Sequence, residues 1–519
     1  MPSTDAAPTP KARPRRAKGP SKARRARAEA RRWHICAGLL LLTVFALREA
    51  LLLLPLIPVH FDEAQYWAYG EELALGHYSK PPLVGWVIRA STELFGDTLF
   101  GLRAAAPLMH LLIGALIHLT AARLFDARTG FWAAVLYTAA PGVTVSSLLI
   151  TTDPVMMAGW ALALYAVVRA LDRPAKAPEP WHWWLLAGVG AGLGLLAKYT
   201  AVALPLGLLG HALLTRSEPV TKSRRDGALL AAGAALLVLS PNLAWNAANG
   251  FVTVTHLAEN ADTGAGVAPD PTDLLEFILA QLGVIGPVAF PAILVAAWAA
   301  GRAGDWRTRI LFWTTAPLLL AMSVQALIAG ANANWAAPAY VGGSILAAHW
   351  LLARGWRTAL AAQAAVGVLA LVLILGLGGL YARNAADLPR LYDPFKKMRI
   401  GGPFCELALT AMEAEGADAL LSNDRRRLSE CVFQGALPLS EIAVYEPDPA
   451  PNNHFEFRAR LAPGDDRLLL LAVESPEAAE RIAERFESAI PLGTGAFRTH
   501  ADRETGYALW LVEGFRGYR

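Results

Sequence analysis

The sequence predicts a polytopic α-helical membrane protein with about eleven transmembrane helices, followed by a soluble α/β domain. Three observations carry this. Hydrophobic residues make up 55% of the 519-residue chain, and the mean hydropathy of +0.35 is that of a membrane protein rather than a globular one. Apolar runs long enough to cross a bilayer recur down to Tyr381. Beyond Tyr381, short β-rich runs alternate with helical patterns.

Taken in order, residues 1–33 crowd Lys and Arg, from Lys11 to Arg32, among Ala and Pro. With few apolar side chains to offset the entropy of ordering, this segment reads as a disordered cytoplasmic tail. The membrane segment that follows at once favours an anchor over a nucleic-acid-binding arm, and no nucleic-acid partner is expected. No small-residue cleavage site precedes Asp62, so no secretory signal is read here.

Spans are predicted at 34–57, 102–122, 131–150, 154–171, 183–198, 200–215, 227–245, 274–300, 310–329, 335–353 and 358–381. Together they make a membrane domain over 34–381 with a first outer loop at 58–101. One set of loops carries Arg123 and Arg128; Arg169, Arg173 and Lys176; Arg216, Lys222, Arg224 and Arg225; Arg302, Arg307 and Arg309; Arg354 and Arg357. The positive-inside rule makes these cytoplasmic. The opposite loops hold Asp62, Asp153, Glu259, Asp262, Asp270 and Asp273, with few cations beyond Lys80, Arg89 and Lys198. An odd number of spans then puts residues 382–519 outside.

That C-terminal segment has strand-like runs at 419–424, 441–446, 467–475 and 507–513, and its clearest helical pattern spans Pro476 to Ala489. Cys405 and Cys431 share it and can form one bridge if the domain lies outside the cytoplasm. Cys36 falls in the first span as a small apolar side chain.

The chemistry-bearing stretch is HFDEAQYWAYGEELALGHYSKPPL, His60 to Leu83. Ionisable groups at the edge of a hydrocarbon layer are costly and ask for a functional explanation. Asp62 and Glu63 can supply a general base, although a pair that merely ends a helix in water is the plainer reading. The company of Tyr66, Tyr78 and Lys80 in one loop shifts the balance. Lys80, pinned by two prolines, is a compact cation suited to phosphate. Asp153 in ITTDPVM shares the outer face and also has the pattern of a helix N-cap. Lys198 and Arg103 read first as a snorkelling lysine and a span anchor. Asn242, Asn246 and His256 lie in or beside an outer loop, where amides and imidazole could bind sugar hydroxyls or serve turns. Asp62, Glu63 and Asp153 could hold a divalent cation through oxygen. No His/Cys set has zinc-site spacing, so no metal ligand is assigned.

FDEAQYW, YSKPPL, FGLRAAAP and TTDPVM, in that order, resemble the bacterial branch of the dolichyl-phosphate-mannose protein mannosyltransferase family, membrane glycosyltransferases of the GT-C fold. The later SPNLAWN and ANWAAPAY are similar to its family-39-type members, which include transferases acting on lipid A and lipopolysaccharide core. The resemblance covers about Phe61 to Tyr340. It implies a polyprenyl-phosphate sugar donor, a glycolipid or protein acceptor, and a site on the periplasmic face of a bacterial inner membrane. It also implies Asp62 as base at the acceptor, Asp153 as the second acid of the site, and Lys80 and Lys198 beside the lipid phosphate. Tyr66 matches the motif's tyrosine. Gln65 and Ser79 depart from the aminoarabinose transferases, which have Arg and Glu there, and this points away from an aminoarabinose donor.

Two other readings stay open from the residues. One is a protein O-mannosyltransferase-like enzyme. The other is a lipid-linked sugar transporter or flippase, for which inverted repeats would be expected; no repeat is visible in the sequence.

Overall fold

The computed structural model describes residues 22–173, 180–215, 221–260, 269–302 and 305–518. The tail up to residue 21, and Lys176, Arg216 and Asp262 of the loops, lie outside the described residues, as does the side chain of Glu259.

Among the described residues, six helices are long and apolar enough to span a bilayer: Ala23–Leu52, Leu99–Leu124, Thr152–Leu171, Lys222–Ala248, Trp306–Ala329 and Arg357–Asp387. Shorter apolar helices cover Trp181–Ala197, Tyr199–Leu214 and Ala339–Ala353. The first helix opens at Lys22, so the stretch from there to residue 33, expected to be disordered, is helical. Its run of Ala and Arg explains this, since both are strong helix formers.

Two expected spans are broken. Residues 131–150 divide into the helices Ala127–Thr138 and Pro141–Ser146, the second opening on its proline. Residues 274–300 form the helices Pro271–Val284 and Ala289–Arg302, bent by 107°. The bend falls at Gly286, whose φ of 110° suits glycine alone, just before Pro287. Backbone groups at such a break must find partners. Gln363 supplies two, donating to the Ile285 carbonyl at 3.0 Å and accepting from the Ala289 amide at 3.1 Å.

The basic loops meet at one end of the bundle. Asp172 pairs with Arg123 at 2.7 Å and Arg307 at 3.9 Å, while Arg173 donates to Ser223 at 3.1 Å. Asp153 sits at the start of the Thr152–Leu171 helix and Asp172 just past its end. At 1.5 Å per residue, they are roughly 30 Å apart.

The C-terminal domain is a five-stranded sheet, β1 (Ala419–Ser422), β2 (Ile442–Val444), β3 (Leu469–Val473), β4 (Phe486–His500) and β5 (Arg503–Phe515), in the order β2-β1-β3-β5-β4. β1 runs parallel to β2 and β3, and β5 runs antiparallel to β3 and β4. The helix expected to reach Ala489 ends at Ala483, and its last part belongs to β4. Pro491, Gly493 and Gly495 disfavour a helix here, and an edge strand tolerates them. Cys405 and Cys431 are disulfide-bonded, joining the helices Gly401–Glu415 and Arg425–Gly435.

The Arg425–Gly435 helix lies against the Phe61–Glu72 helix of the first loop, with Trp67 edge-on to Phe433 at 5.6 Å. That loop is folded tightly on itself: a Cβ on Gly70 would come within 2.8 Å of the Gly85 carbonyl oxygen. The domain thus covers the end of the bundle remote from the basic loops, and places its own residues beside Asp62.

Candidate active site

The Phe61–Glu72 helix begins with a capping box in which His60 accepts from the Asp62 amide and Glu63 accepts from the His60 amide. This fixes both acids but gives them opposite environments. Glu63 is buried and ion-paired with Arg103 at 2.7 Å; its carboxylate also takes the Ile150 amide at 2.8 Å. Arg103 spends its remaining donors on the carbonyls of Ile57 and Pro58, at 2.9 and 2.8 Å. The pair forms a buried strut joining the first loop to the bundle.

Asp62 is the open carboxylate. Its side chain is 37% exposed, with His60 at 3.7 Å and Arg425 at 3.5 Å. Asp153 is fully engaged: one oxygen takes the Lys198 ammonium at 2.6 Å, the other the Asn334 amide at 2.5 Å. The helix cap is Thr151, which accepts from the Asp153 amide, so Asp153 is free of the capping task the Asp-Pro pattern suggests. Lys198 does not snorkel. It ends the Trp181–Ala197 helix in extended backbone and turns its ammonium inward.

Lys80 donates to the Ser79 carbonyl at 3.1 Å and has no ion-pair partner among the described residues. Burial and then Lys198 push its pKa down to about 8; Asp62 and Asp153 oppose this and Arg425 adds to it. Lys80 thus lies within electrostatic reach of Lys198, Asp62, Arg425 and Asp153. Tyr66 is buried, its hydroxyl held well above the usual range by burial, then by Asp62, Tyr69 and Asp153. His256 is pushed down to about 4 by burial and by the cations Lys80 and Arg425.

Gln65 is buried, donating to the Tyr69 hydroxyl and accepting from Arg425 at 3.0 Å. The Tyr69 hydroxyl meets Ser79 at 2.9 Å, so the two residues that depart from the aminoarabinose pattern belong to one chain of contacts. Tyr78 stands with its ring 4.9 Å from His256 and donates to the Pro451 carbonyl at 2.5 Å. Asn242 and Asn246 are buried and committed elsewhere. Asn242 accepts from Tyr199 at 2.5 Å and donates to the Leu75 carbonyl at 2.8 Å, and Asn246 donates to the Tyr199 hydroxyl at 3.0 Å. They tie the first loop and Tyr199 to the Lys222–Ala248 helix, and Asn246 Oδ1 has no hydrogen-bond partner among the described residues.

Arg425 and Asn334 are the site residues that sequence reading missed. Asn334 falls within the ANWAAPAY stretch, where the resemblance gave it no role. Arg425 opens a helix in the C-terminal domain, 360 residues from Gln65, and its guanidinium lies 5.1 Å from the Phe61 ring centre.

The profile of the dolichyl-phosphate-mannose-protein mannosyltransferase family matches residues 79–245. The lipid A galacturonosyltransferase RgtD of Rhizobium johnstonii is 31% identical over 461 residues, 85% of this chain and 93% of that protein. The chain belongs to this glycosyltransferase family. The lipopolysaccharide core galacturonosyltransferase RgtB of the same organism is 26% identical over 74% of this chain and 78% of its own length. The GT-C fold of the family is evident in the solved structure of ArnT from Cupriavidus metallidurans bound to undecaprenyl phosphate. It superposes with a TM-score of 0.64 at 16% identity, covering 92% of this chain and 98% of that one. The chain is a membrane glycosyltransferase, and of the readings left open, a transporter or flippase is set aside.

Proposed function

We propose that this enzyme moves a uronic acid from a polyprenyl-phosphate donor to a hydroxyl of lipid A or lipopolysaccharide core, at the periplasmic face of the inner membrane. The observation that carries the reading is the grouping of Asp62, Lys80, Asp153, Lys198 and Arg425 at the end of the bundle away from the basic loops. Three cations face two carboxylates there, a surplus that suits a donor with both a phosphate and a sugar carboxylate. Galacturonic acid is named for RgtD and RgtB, two of its relatives.

Asp62 is the general base. The acceptor hydroxyl forms a bond to the anomeric carbon as the bond to the phosphate oxygen breaks. The hydroxyl proton passes to Asp62, and the polyprenyl phosphate leaves with the electron pair. One such displacement inverts the anomeric centre. Charge grows on the leaving phosphate, and a prearranged cation stabilises it most where water is excluded. Lys80 serves there, because no carboxylate claims it, and Lys198 stands behind it, neutralised by Asp153 until the donor arrives. Arg425, weakly held by Asp62 and Gln65, is placed to take the uronate carboxylate with paired N–H donors.

Mass spectrometry of lipid A and core from a deletion strain, with and without the restored gene, tests this. The reading expects one uronic acid residue to disappear and return. Unchanged glycolipids with altered protein glycans would favour the protein O-mannosyltransferase-like alternative.

A further inference from the structure

The first loop and the C-terminal domain also meet some distance from Asp62. Glu72, His77 and His454 converge there, with one ligand-type atom of each within 4.8 Å of the others. His454 Nε2 lies 2.7 Å from Glu72 Oε1, and the other Glu72 oxygen takes Arg458 Nε at 2.9 Å. Those contacts account for one side of the cluster only. His77 is 1% exposed, and neither of its ring nitrogens has a hydrogen-bond partner among the described residues; His454 Nδ1 has none either. Buried polar atoms without partners are rare because their lost hydration is uncompensated. The His77 ring is not loose, since it stacks on Tyr69 at 4.0 Å with only 5° between planes.

We infer that Glu72, His77 and His454 form a binding site for a zinc-like transition metal that fastens the C-terminal domain to the first outer loop. Two imidazoles and one carboxylate suit zinc and exclude the hard cations that need oxygen shells. Tetrahedral bonds of about 2.0 Å put ligand atoms about 3.3 Å apart, so small side-chain rotations complete the site. Arg458 holds the far oxygen of Glu72, the kind of outer contact that orients a metal-binding carboxylate. The ring centres of His77 and His454 are 5.5 Å apart, which fits two imidazoles on one ion.

Glu72 ends the helix that Asp62 begins. Ten residues of helix separate them by roughly 15 Å. The ion therefore positions and does not take part in transfer. It fixes the register between the Phe61–Glu72 helix and the domain that carries Arg425. Because the ligands come from chain segments 382 residues apart, sequence spacing could not reveal them.

The test is metal content and cobalt substitution of the full chain purified in detergent. Close to one zinc per chain is expected, and stripped protein should take up Co2+ with the visible bands of a tetrahedral nitrogen and oxygen site. H77A and H454A should lose the bands and at least 10-fold in Zn2+ affinity, while D62N keeps both. If these variants misfold, X-ray absorption at the zinc edge of the wild-type protein decides. Two imidazoles support the site; oxygen ligands alone overturn it. Absence of stoichiometric metal, or H77A binding Co2+ as the wild type does, also overturns it and leaves the cluster as an ordinary buried contact.

Discussion

Arg425 of the C-terminal domain donates to the side-chain carbonyl of Gln65 in the first membrane loop at 3.0 Å. This contact brings the C-terminal domain against the loop that carries Asp62, which Arg425 also meets at 3.5 Å. Gln65 is one of the two positions at which the motif departs from the aminoarabinose pattern, and here a guanidinium reaches it from a different part of the chain.

If Arg425 reads the sugar carboxylate, R425Q should lower kcat/KM for a polyprenyl-phosphate uronic acid by about 10- to 100-fold, the range of a lost charge-assisted hydrogen bond. A neutral-sugar donor should be used about as well as by the wild type. Equal losses on both donors would assign Arg425 to domain docking alone.

Lys80 gives a pH signature. Burial lowers its pKa from 10.5 to about 8, so the ammonium persists below that pH and is lost above it. The donor KM should therefore rise as pH climbs through 8, with kcat less affected. K80R, charged throughout this range, should flatten that rise. A wild-type profile that stays flat from pH 7 to 9.5 would remove Lys80 from the phosphate.

The Glu63–Arg103 pair lies almost wholly out of solvent, with side chains 1% and 5% exposed. Breaking one side of a buried pair strands the other charge at about 3–5 kcal/mol. R103M should lower the thermal midpoint in detergent sharply and reduce folded yield. Any folded fraction should keep a donor KM near the wild-type value, whereas loss of donor binding at full stability would restore Arg103 to the phosphate site.

The Cys405–Cys431 bond ties together the two helices beside the interface. Removing it in C405A/C431A should cost the domain about 2–4 kcal/mol, seen as a lower unfolding midpoint. Proteolysis between Tyr381 and Gly401 should also become faster.

The site was legible where function concentrates in short segments. Asp62 and Lys80 stand in one loop, and Asp153 interrupts an apolar run where charge has to be explained. Lys198 was seen, but its partner was not: a lysine at a span end looks the same whether it snorkels or pairs inward. Glu63 looked as catalytic as Asp62 because adjacent acids differ only in which way the helix turns them, and Glu63 faces Arg103. Arg425 sits in DRRRLSE, an ordinary helix start until the sheet domain docks. The break at Gly286 and the strand character of Phe486–His500 were hidden for different reasons. Hydropathy counts apolar residues without the backbone angles that interrupt a helix, and the proline-led helix pattern at Pro476 masked the strand behind it.

We propose Asp62 as the base, in preference to Asp153, whose two oxygens are both engaged. The direct measurement is single-turnover transfer by purified D62N from a polyprenyl-phosphate uronic acid to lipid A, with donor binding measured on the same sample. The transfer rate should fall by about 10²- to 10⁴-fold, as expected for loss of a general base, with donor affinity retained. Transfer by D62N at the wild-type rate would remove Asp62 from the role of base.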